Sequence, residues 1–462
     1  MNIIAMKISS AAKIIALGIA SALLLSCAPD WGYDTKFGNM PSDRPGHGNR
    51  VPSQETRKVL LLYSAGFNSI SGYLNINFED LKKGWLPDNR RSEDVLLVYS
   101  HSTLSPGNYS TPSSPVLMRL YKGQDGKAVT DTLVTYPAET ISASAGTLNL
   151  VLTYVKENFP AKGYGLLFSS HATGYLPAGF YSDPNKYVFK EKGTALYGGK
   201  EMSGMTFHGP EPVPYTEPFT DPSLPAVKSI GQDRAGRMSY EIELDDFAAA
   251  IPMKLDYILF DACLMGGIEV AYELREKCVL AGFSQAEVLA EGFDYTTLAG
   301  HLLRNSVSDP KKVCEDYFTR YDIQSGLNRS ATISLVYCSR LEPIARICKR
   351  LFSKYRSNLD SIDPDKVQRY YRYSYHWFYD LESILTEAGA DSAELDELRR
   401  AISGCISYKA ATPSFIHGSA YDGGFDIDTH CGLSMYLPCH GHPELDKYYR
   451  TLAWNRATGL VE

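Results

Sequence analysis

Two short apolar runs, each ending near a reactive side chain, constrain the fold of this chain most strongly. They are Gly165-Leu-Leu-Phe-Ser-Ser-His171 and Tyr257-Ile-Leu-Phe-Asp-Ala-Cys263. Apolar runs of this length predict strands that are buried on both faces, as in a parallel sheet covered by helices. In open α/β sheets, ligands bind at the carboxyl ends of the strands. We therefore expect His171 and Cys263 to lie side by side there, as a general base and a nucleophile.

Other apolar runs repeat this pattern of short strands that alternate with helical segments. Further strands are predicted at residues 58–63, 94–99, 278–284 and 332–337, and a helix is predicted at 264–277, directly after the cysteine. The pattern favours an α/β fold with a mainly parallel sheet sandwiched by helices. A helix N-terminus at Cys263 would lower the pKa of its thiol, and backbone amides there can bind an oxyanion.

The N-terminus predicts export. Lys7 and Lys13 flank the apolar stretch 14–25, and Ser26-Cys27 follows. A basic start, a short apolar core and a small residue at the cleavage site are typical of a secretory signal peptide. The core is short for a membrane span.

A lipid anchor is predicted from the residues at the end of that stretch. Leu24-Leu-Ser-Cys27 resembles a bacterial lipobox, so we expect a signal peptide at 1–26 and a lipid on Cys27. An ordinary signal peptide with an incidental cysteine is the alternative. The protein would then be anchored to the bacterial envelope, at the outer membrane or the cell surface. Residues 27–56 are rich in Pro, Gly, Asp, Asn and Arg, which predicts a flexible tether.

Charge and cysteine content argue against two classes of protein. The formal net charge is −7 and is spread along the chain, which does not suggest nucleic-acid binding. The nine cysteines are too few in a chain of 462 residues for a disulfide scaffold. Apart from Cys27 and Cys263, several lie in apolar surroundings that are typical of small core residues.

Several motifs resemble those of the clostripain-like cysteine peptidases, a branch of the caspase-type hydrolases. The resemblance runs from about residue 57 to about residue 460. It is most specific around the cysteine, and the order of histidine before cysteine also agrees. The motifs are Phe260-Asp-Ala-Cys-Leu-Met-Gly-Gly-Ile-Glu-Val-Ala-Tyr-Glu-Leu274, Ser170-His-Ala-Thr-Gly-Tyr175, Gly231-Gln-Asp233, Ser284-Gln-Ala-Glu287, Gly292-Phe-Asp-Tyr295 and Gly432-Leu-Ser-Met-Tyr-Leu-Pro438.

The resemblance implies a role for each matching residue. Cys263 would be the nucleophile, and His171 the base and later the acid. The backbone amides of Cys263 and Ala172 would bind the oxyanion. Asp261 would select Arg or Lys before the scissile bond, which agrees with the strong pairing of a partly buried carboxylate with a guanidinium. A local cap or turn is the alternative role for Asp261. Glu287 and Glu291 are weaker candidates for the same pocket.

The resemblance also implies the domain organisation. Residues 57–340 would form the caspase-like catalytic domain, and 341–462 a mostly helical C-terminal region with a final strand at 432–438 and a final helix. The long segment 172–238 would be a lid or a processing segment. Some relatives mature by cleavage at a basic residue in this loop, for which the candidates are Lys186, Lys190, Lys192 and Lys200.

One departure from the family pattern leaves a second function open. The family usually has glycine directly after the catalytic histidine, and this chain has Ala172, which does not readily adopt a positive φ. The leading hypothesis is an exported cysteine endopeptidase that cuts after Arg or Lys. The alternatives are an inactive, peptidase-like surface lipoprotein that binds peptide or glycan, and a peptidase of different specificity.

No cofactor is required by these motifs, and the sequence leaves a calcium requirement open. The expected partners are a peptide or protein substrate and the membrane. His430-Cys431 and Cys439-His440-Gly-His442 contain zinc-binding residue types. The predicted strand between them would hold the two groups about 20 Å apart, which favours structural roles. His101 ends another strand at the same sheet edge, where a hydrogen-bonded structural role is the favoured interpretation.

Overall fold

A computed structural model describes most of the predicted folded body. The described residues are 56–105, 108–191, 212–214, 223–228, 233–235, 238–372, 377–418, 421 and 423–462. The predicted signal peptide, Cys27 and nearly all of the tether lie outside them, as do Lys192 and Lys200. No helix in the described part of the chain is long and apolar enough to cross a membrane.

A nine-stranded sheet forms the centre of the fold. In chain order its strands are β1 (Thr56–Ala65), β2 (Asp94–His101), β3 (Val116–Lys122), β4 (Ala128–Thr135), β5 (Ala161–Ser169), β6 (Leu255–Asp261), β7 (Cys278–Phe283), β8 (Thr332–Tyr337) and β9 (Ile406–Ala411). Their spatial order is β9-β8-β7-β6-β5-β1-β2-β3-β4. The central strands β7, β6, β5, β1 and β2 are parallel, and the outer strands are antiparallel.

The central strands are the apolar runs of the sequence. In β6 every residue except Asp256 is buried, and the last five residues of β5 are buried. Burial of this kind needs cover on both faces of the sheet. Tyr295 contacts Asp261 and Ser169 on one face, whereas Phe247 packs against Phe168 on the other, because successive side chains of a strand point to opposite faces.

Twelve α-helices are described. Helices α1, α5 and α6 pack on the face that carries Asp261, and α2, α3 and α4 lie on the other, where α12 and α7 continue the layer. The bounds of the helices are α1 Ser71–Lys83, α2 Ala145–Asn158, α3 Leu244–Ala250, α4 Ile268–Glu273, α5 Tyr295–Ala299, α6 Pro310–Asp322, α7 Glu342–Lys354, α8 Arg356–Leu359, α9 Leu381–Glu387, α10 Ser392–Cys405, α11 Pro443–Tyr449 and α12 Ala453–Thr458.

The predicted start of the helix after the cysteine was wrong. Helix α4 begins only at Ile268, and residues 262–267 form a turn in which Leu264 has a φ of 62°. The amides of Leu264 and Gly266 donate to the carbonyls of Ala286 and Ser284, so this turn is paired with the segment after β7. The thiol of Cys263 therefore lies in a hydrogen-bonded turn and not at a helix N-terminus.

The C-terminal region contributes to the central sheet as well as to the helical layers. Strand β9 pairs with β8 in a stretch where the sequence predicted helix. The predicted strand at 432–438 is shorter, because only Ser434–Met435 pairs, with Tyr379–Asp380. All the described residues fall in one compact unit. The division at residue 340 stays a prediction.

Short elements complete the fold. Small strands occur at Thr103–Ser105, Asn108–Pro112, Val213–Pro214, Asp233–Ala235, Met238–Tyr240, Ser414–Phe415 and Phe425–Asp426. Residues Gly300–Arg304 form a π-helix, and short 3₁₀-helices occur at Gly326–Asn328, Cys338–Arg340, Pro364–Lys366 and Pro438–His440.

Candidate active site

The register of two central strands brings the predicted histidine and cysteine to the same edge of the sheet. Strands β5 and β6 are parallel neighbours, and their last paired residues are Ser169 and Asp261. His171 and Cys263 each follow two residues later, so they leave the sheet at the same level. This is the placement that the two apolar runs predicted.

His171 is buried and has one well-defined side-chain partner. Its Nε2 lies 2.9 Å from the Oγ of Ser69, in the loop after β1. Its Nδ1 has no hydrogen-bond partner within the described ranges, although the main chain of Lys228 lies beside the ring. Burial, with a smaller contribution from the Lys228 cation, lowers the pKa of His171 to about 3, so the imidazole is neutral near neutral pH. In the tautomer in which Nε2 donates to Ser69, Nδ1 of the neutral imidazole can accept a proton.

Cys263 is fully buried, and its sulfur contacts the segment after β7. The amide of Val288 donates to Sγ over 3.0 Å. The next residue, Leu264, is one of two non-glycine residues with positive φ among the described residues, the other being Ile416. A positive φ is costly for a branched side chain. The fold thus holds the backbone beside Cys263 in a strained turn.

The backbone at Ala172 does not need the positive φ that only glycine adopts readily. Ala172 is not among the described residues with positive φ, whereas Gly174 has a φ of 64°. A Cβ on Gly174 would lie 2.5 Å from the carbonyl oxygen of Leu264, so glycine is required there. The backbone after the histidine therefore makes its turn at Gly174, and the alanine is accommodated two residues earlier.

Asp261 forms a buried ion pair with a lysine that the sequence analysis did not select. The Nζ of Lys228 contacts the Oδ2 of Asp261, and both side chains are fully buried. Ser169 and Tyr295 also donate to Oδ2, over 3.0 and 2.6 Å. The second oxygen, Oδ1, has no hydrogen-bond partner among the described residues. The carboxylate is thus built into a pocket that accepts a cation and still has an acceptor for a second donor.

The chain around Lys228 lies across the site as an added strand. The amide of Lys228 donates to the carbonyl of Val288, and the amide of Ala290 donates to the carbonyl of Ala226, each over 2.8 Å. Val227 and Leu289 form an antiparallel bridge between these bonds. Extended peptides bind proteins in this way. Their backbone hydrogen bonds provide affinity, and pockets for every second side chain provide specificity. Val288 contacts both Cys263 and Lys228, so this added strand lies directly beside the thiol.

Gly292 forms one wall of the pocket around Asp261 that holds the side chain of Lys228 (the lysine pocket). A Cβ on Gly292, which has a φ of 65°, would lie 2.3 Å from the Oδ1 of Asp261 and 2.6 Å from the Nζ of Lys228. The two glutamates suggested for this pocket are placed elsewhere. Glu287 is buried in an ion pair with Arg372, and Glu291 is exposed.

Lys228, Ser69 and Val288 are the site residues that sequence reasoning missed. Lys228 stands in a loop without any apolar pattern, and it was not among the basic residues selected there. Of those, Lys186 and Lys190 are described, and both are exposed. Ser69 lies in the loop directly after β1, and β1 lies directly beside β5. That neighbourhood was the signal that could have identified Ser69.

The other histidine and cysteine candidates have structural surroundings. His101 is buried, and its Nδ1 lies 2.7 Å from the Oγ of Ser142. The Nδ1 of His430 lies 3.0 Å from the hydroxyl of Tyr370. Within the described ranges, no group of three or more His, Cys, Asp or Glu side chains is placed to hold a metal ion.

Comparison with known proteins identifies the family. The sequence model of the clostripain family matches residues 216–448, which is half of the chain. The chain belongs to the clostripain family. No curated protein sequence matches it. The family match includes Lys228, Asp261, Cys263 and the segment after β7, but begins after His171.

Solved structures of clostripain-family proteases share the fold of nearly the whole chain. An inactive zymogen of a C11 protease from Parabacteroides distasonis is 25% identical and has a TM-score of 0.66. A secreted C11 cysteine protease from Bacteroides thetaiotaomicron is 21% identical with a TM-score of 0.66, and its complex with an irreversible peptide inhibitor is 22% identical with a TM-score of 0.65. Each alignment covers 88% of this chain and 99% of the other. The protein is thus a cysteine peptidase with the caspase-like fold.

Proposed function

We propose that the protein is an exported cysteine endopeptidase that hydrolyses peptide bonds after lysine or arginine, with Cys263 and His171 as its dyad. The observation that carries this proposal is the buried pairing of Lys228 with Asp261 beside Cys263. A lysine of the chain itself occupies the position that a substrate lysine would take. Because Oδ1 of Asp261 has no partner among the residues that the structure describes, the two-donor fork of an arginine would also be accepted.

The chemistry follows from the placement of these side chains. Nδ1 of His171 takes the proton of the Cys263 thiol as sulfur attacks the carbonyl carbon after the bound lysine or arginine. The oxyanion that forms is stabilised by backbone amides, for which Cys263 and Ala172 are the candidates. His171 returns the proton to the departing amine, and water then hydrolyses the thioester. In this mechanism Nε2 of His171 donates to the hydroxyl of Ser69, which lies 2.9 Å away, and Nδ1 is the acceptor.

The described state is blocked against substrate. Cys263 is fully buried, and the pocket of Asp261 is filled. A peptide can enter only after the segment 226–228 has moved away. We propose that cleavage after Lys228 releases it, which places the processing site of the long loop at this residue. The similarity to an inactive zymogen supports the interpretation that the described chain is the uncleaved, inactive form.

A fluorogenic peptide panel tests the activity. Peptides with Arg, Lys, Asp, Asn or Leu before the reporter would be incubated with residues 28–462, with and without limited trypsin treatment and calcium, beside the Cys263→Ala and His171→Ala variants. We expect hydrolysis of the Arg and Lys peptides alone, lost in both variants. Hydrolysis that persists in both would refute the dyad. No hydrolysis under any condition would favour the binding lipoprotein.

Substitution of Gly292 should close the pocket. The Cβ of a Gly292→Ala variant would lie within 2.6 Å of both members of the ion pair, and the positive φ adds strain. We expect KM for lysine peptides to rise by about tenfold or more, as for a loss of about 1.4 kcal/mol or more in binding. Gly126 also has a positive φ, but a Cβ there meets nothing within 4 Å, so Gly126→Ala is the control for backbone strain. Equal KM values for the two variants would contradict the pocket.

Export and lipid attachment are proposed from the N-terminal sequence. We expect the full-length protein, made in a bacterial host, to partition into the detergent phase of a Triton X-114 extraction and to carry a lipid on Cys27. Because one acylated residue provides the anchor, Cys27→Ser should shift it to the aqueous phase. Mass spectrometry of the N-terminal peptide would identify the modification. An unmodified Cys27 in the mature protein would leave an ordinary signal peptide as the explanation.

A further inference from the structure

A cavity opens beside His171 on the face of the sheet opposite the lysine pocket. Its walls include the segment after the histidine, from Ala172 to Gly174, together with Phe247 and Met265. Phe168 and Phe260 also line it, and each directly precedes a residue of the lysine pocket, Ser169 or Asp261. Since successive strand residues point to opposite faces, the cavity and the lysine pocket lie on opposite sides of the site.

This position is where the residue after the scissile bond must lie. The amine that leaves during hydrolysis receives its proton from His171, so the residue that carries this amine lies next to the imidazole. In an extended peptide, successive side chains point in opposite directions. When a substrate lysine enters the pocket of Asp261, the next side chain is therefore directed toward the cavity beside His171.

One wall of the cavity carries a carboxyl group with an unused oxygen. Glu241 is 9% exposed, and its Oε2 accepts a hydrogen bond from the amide of Gly179 over 3.0 Å. Its Oε1 is buried and has no hydrogen-bond partner in the described part of the chain. Burial, with Glu243 nearby, raises the pKa of Glu241 to about 8. Buried polar atoms are nearly always paired in folded proteins, so an orphaned one beside a reactive centre points to a missing donor.

We propose that this cavity binds the residue after the scissile bond and that Glu241 selects a side chain with an apolar stem and an amino group at its tip, such as lysine. The aromatic walls contact the stem, and Oε1 of Glu241 accepts from the ammonium. Binding a cation there also favours the ionised carboxylate, with Glu243 adding to the attraction. The inference rests on the proposed cleavage after lysine or arginine, and it adds a preference on the other side of the bond.

Matched peptides test the preference. Internally quenched peptides would share lysine before the scissile bond and differ only in the next residue, which would be lysine, its uncharged isostere norleucine, or glutamate. Mass spectrometry of the products would assign each cut to the first or second lysine. We expect the processed enzyme to cleave the lysine peptide roughly tenfold faster than the norleucine peptide in kcat/KM, as for one charge-assisted hydrogen bond, and the glutamate peptide slowest.

Substitutions of Glu241 should remove this ratio. Glu241→Gln keeps the shape of the side chain and should bring the ratio of lysine to norleucine close to one, and Glu241→Leu should favour norleucine. Glu157→Gln, at an exposed position, is the matched control and should keep the wild-type ratio. If the Glu241 variants do not fold, the order of the kcat/KM values of the wild type for the three peptides still tests the preference.

Two results would overturn the inference. Cleavage after lysine with the same ratio in the wild type and in Glu241→Leu, or equal rates for all three peptides, would exclude the subsite while the proposed function stood. A wild-type enzyme that cut none of the peptides after processing would refute the proposed function and this inference with it.

Discussion

Once cleaved after Lys228, the Asp261→Asn variant is expected to have a kcat/KM for lysine and arginine peptides that is lower than the wild-type value by about 100-fold or more. The pocket around this carboxylate is fully buried, and Lys228 fills it. Removing one member of a buried, hydrogen-bonded charge pair costs about 2–5 kcal/mol, and each 1.36 kcal/mol corresponds to tenfold in rate. The fluorogenic lysine and arginine peptides measure the loss.

The same substitution should destabilise the unprocessed chain, which gives the prediction a second readout. With asparagine at 261, the Lys228 ammonium would be buried without its counter-ion, at a cost of about 3–5 kcal/mol. We expect a lower midpoint in urea unfolding, to be measured in the Cys263→Ala background so that no processing occurs. Adding Lys228→Met should recover most of the lost stability. An unchanged midpoint in Asp261→Asn would show that the ion pair is unimportant to the folded state.

Replacing Lys228 should prevent maturation. With methionine at 228 the pocket of Asp261 holds no cation, so we expect the chain to stay uncut there and its rate of conversion to fall by about 100-fold or more, for the same loss of a charge-assisted contact. Lys228→Arg keeps the charge and the two-donor fork, and should still be cut. Gel electrophoresis and N-terminal sequencing of the fragments follow the reaction, with Ser229 as the expected new N-terminus.

Exposed lysines of the same loop provide the matched controls. Lys186→Met and Lys190→Met change residues that the sequence alone had suggested as processing sites, and both side chains are exposed in the structure. We expect both variants to mature like the wild type. Normal conversion in Lys228→Met, with loss of conversion in one of the other two, would reassign the processing site to that lysine.

The sequence sufficed to predict the sheet and the placement of His171 and Cys263 at one edge of it. Both depend on local pattern, because a fully apolar run predicts a buried strand and parallel neighbours end at the same edge. The start of the helix after Cys263 was predicted wrongly for a local reason. The apolar pattern continues through Leu264 and Met265, but Leu264 adopts a positive φ and two glycines follow before α4 begins.

The occupant of the pocket could not be predicted. Lys228 and Asp261 are 33 residues apart in the sequence. The residues around Lys228 contain no periodic pattern that would identify it. The contact depends on the pairing of residues 226–228 with 288–290, which is a property of tertiary structure. Sequence reasoning could propose a charge for the pocket, because Asp261 lies two residues before the cysteine in a family motif. It could not show which of the chain's own lysines would balance that charge.

Labelling with a peptide chloromethyl ketone that ends in lysine tests the central claim most directly. The processed chain from residue 28 would be treated with this reagent and with its norleucine counterpart, digested, and analysed by mass spectrometry. We predict one adduct, on the peptide that contains Cys263. It should form rapidly with the lysine reagent and not with the norleucine reagent. In the Asp261→Asn variant, the lysine reagent should form it much more slowly. An adduct on another cysteine, or equal labelling of Cys263 by both reagents, would contradict the account.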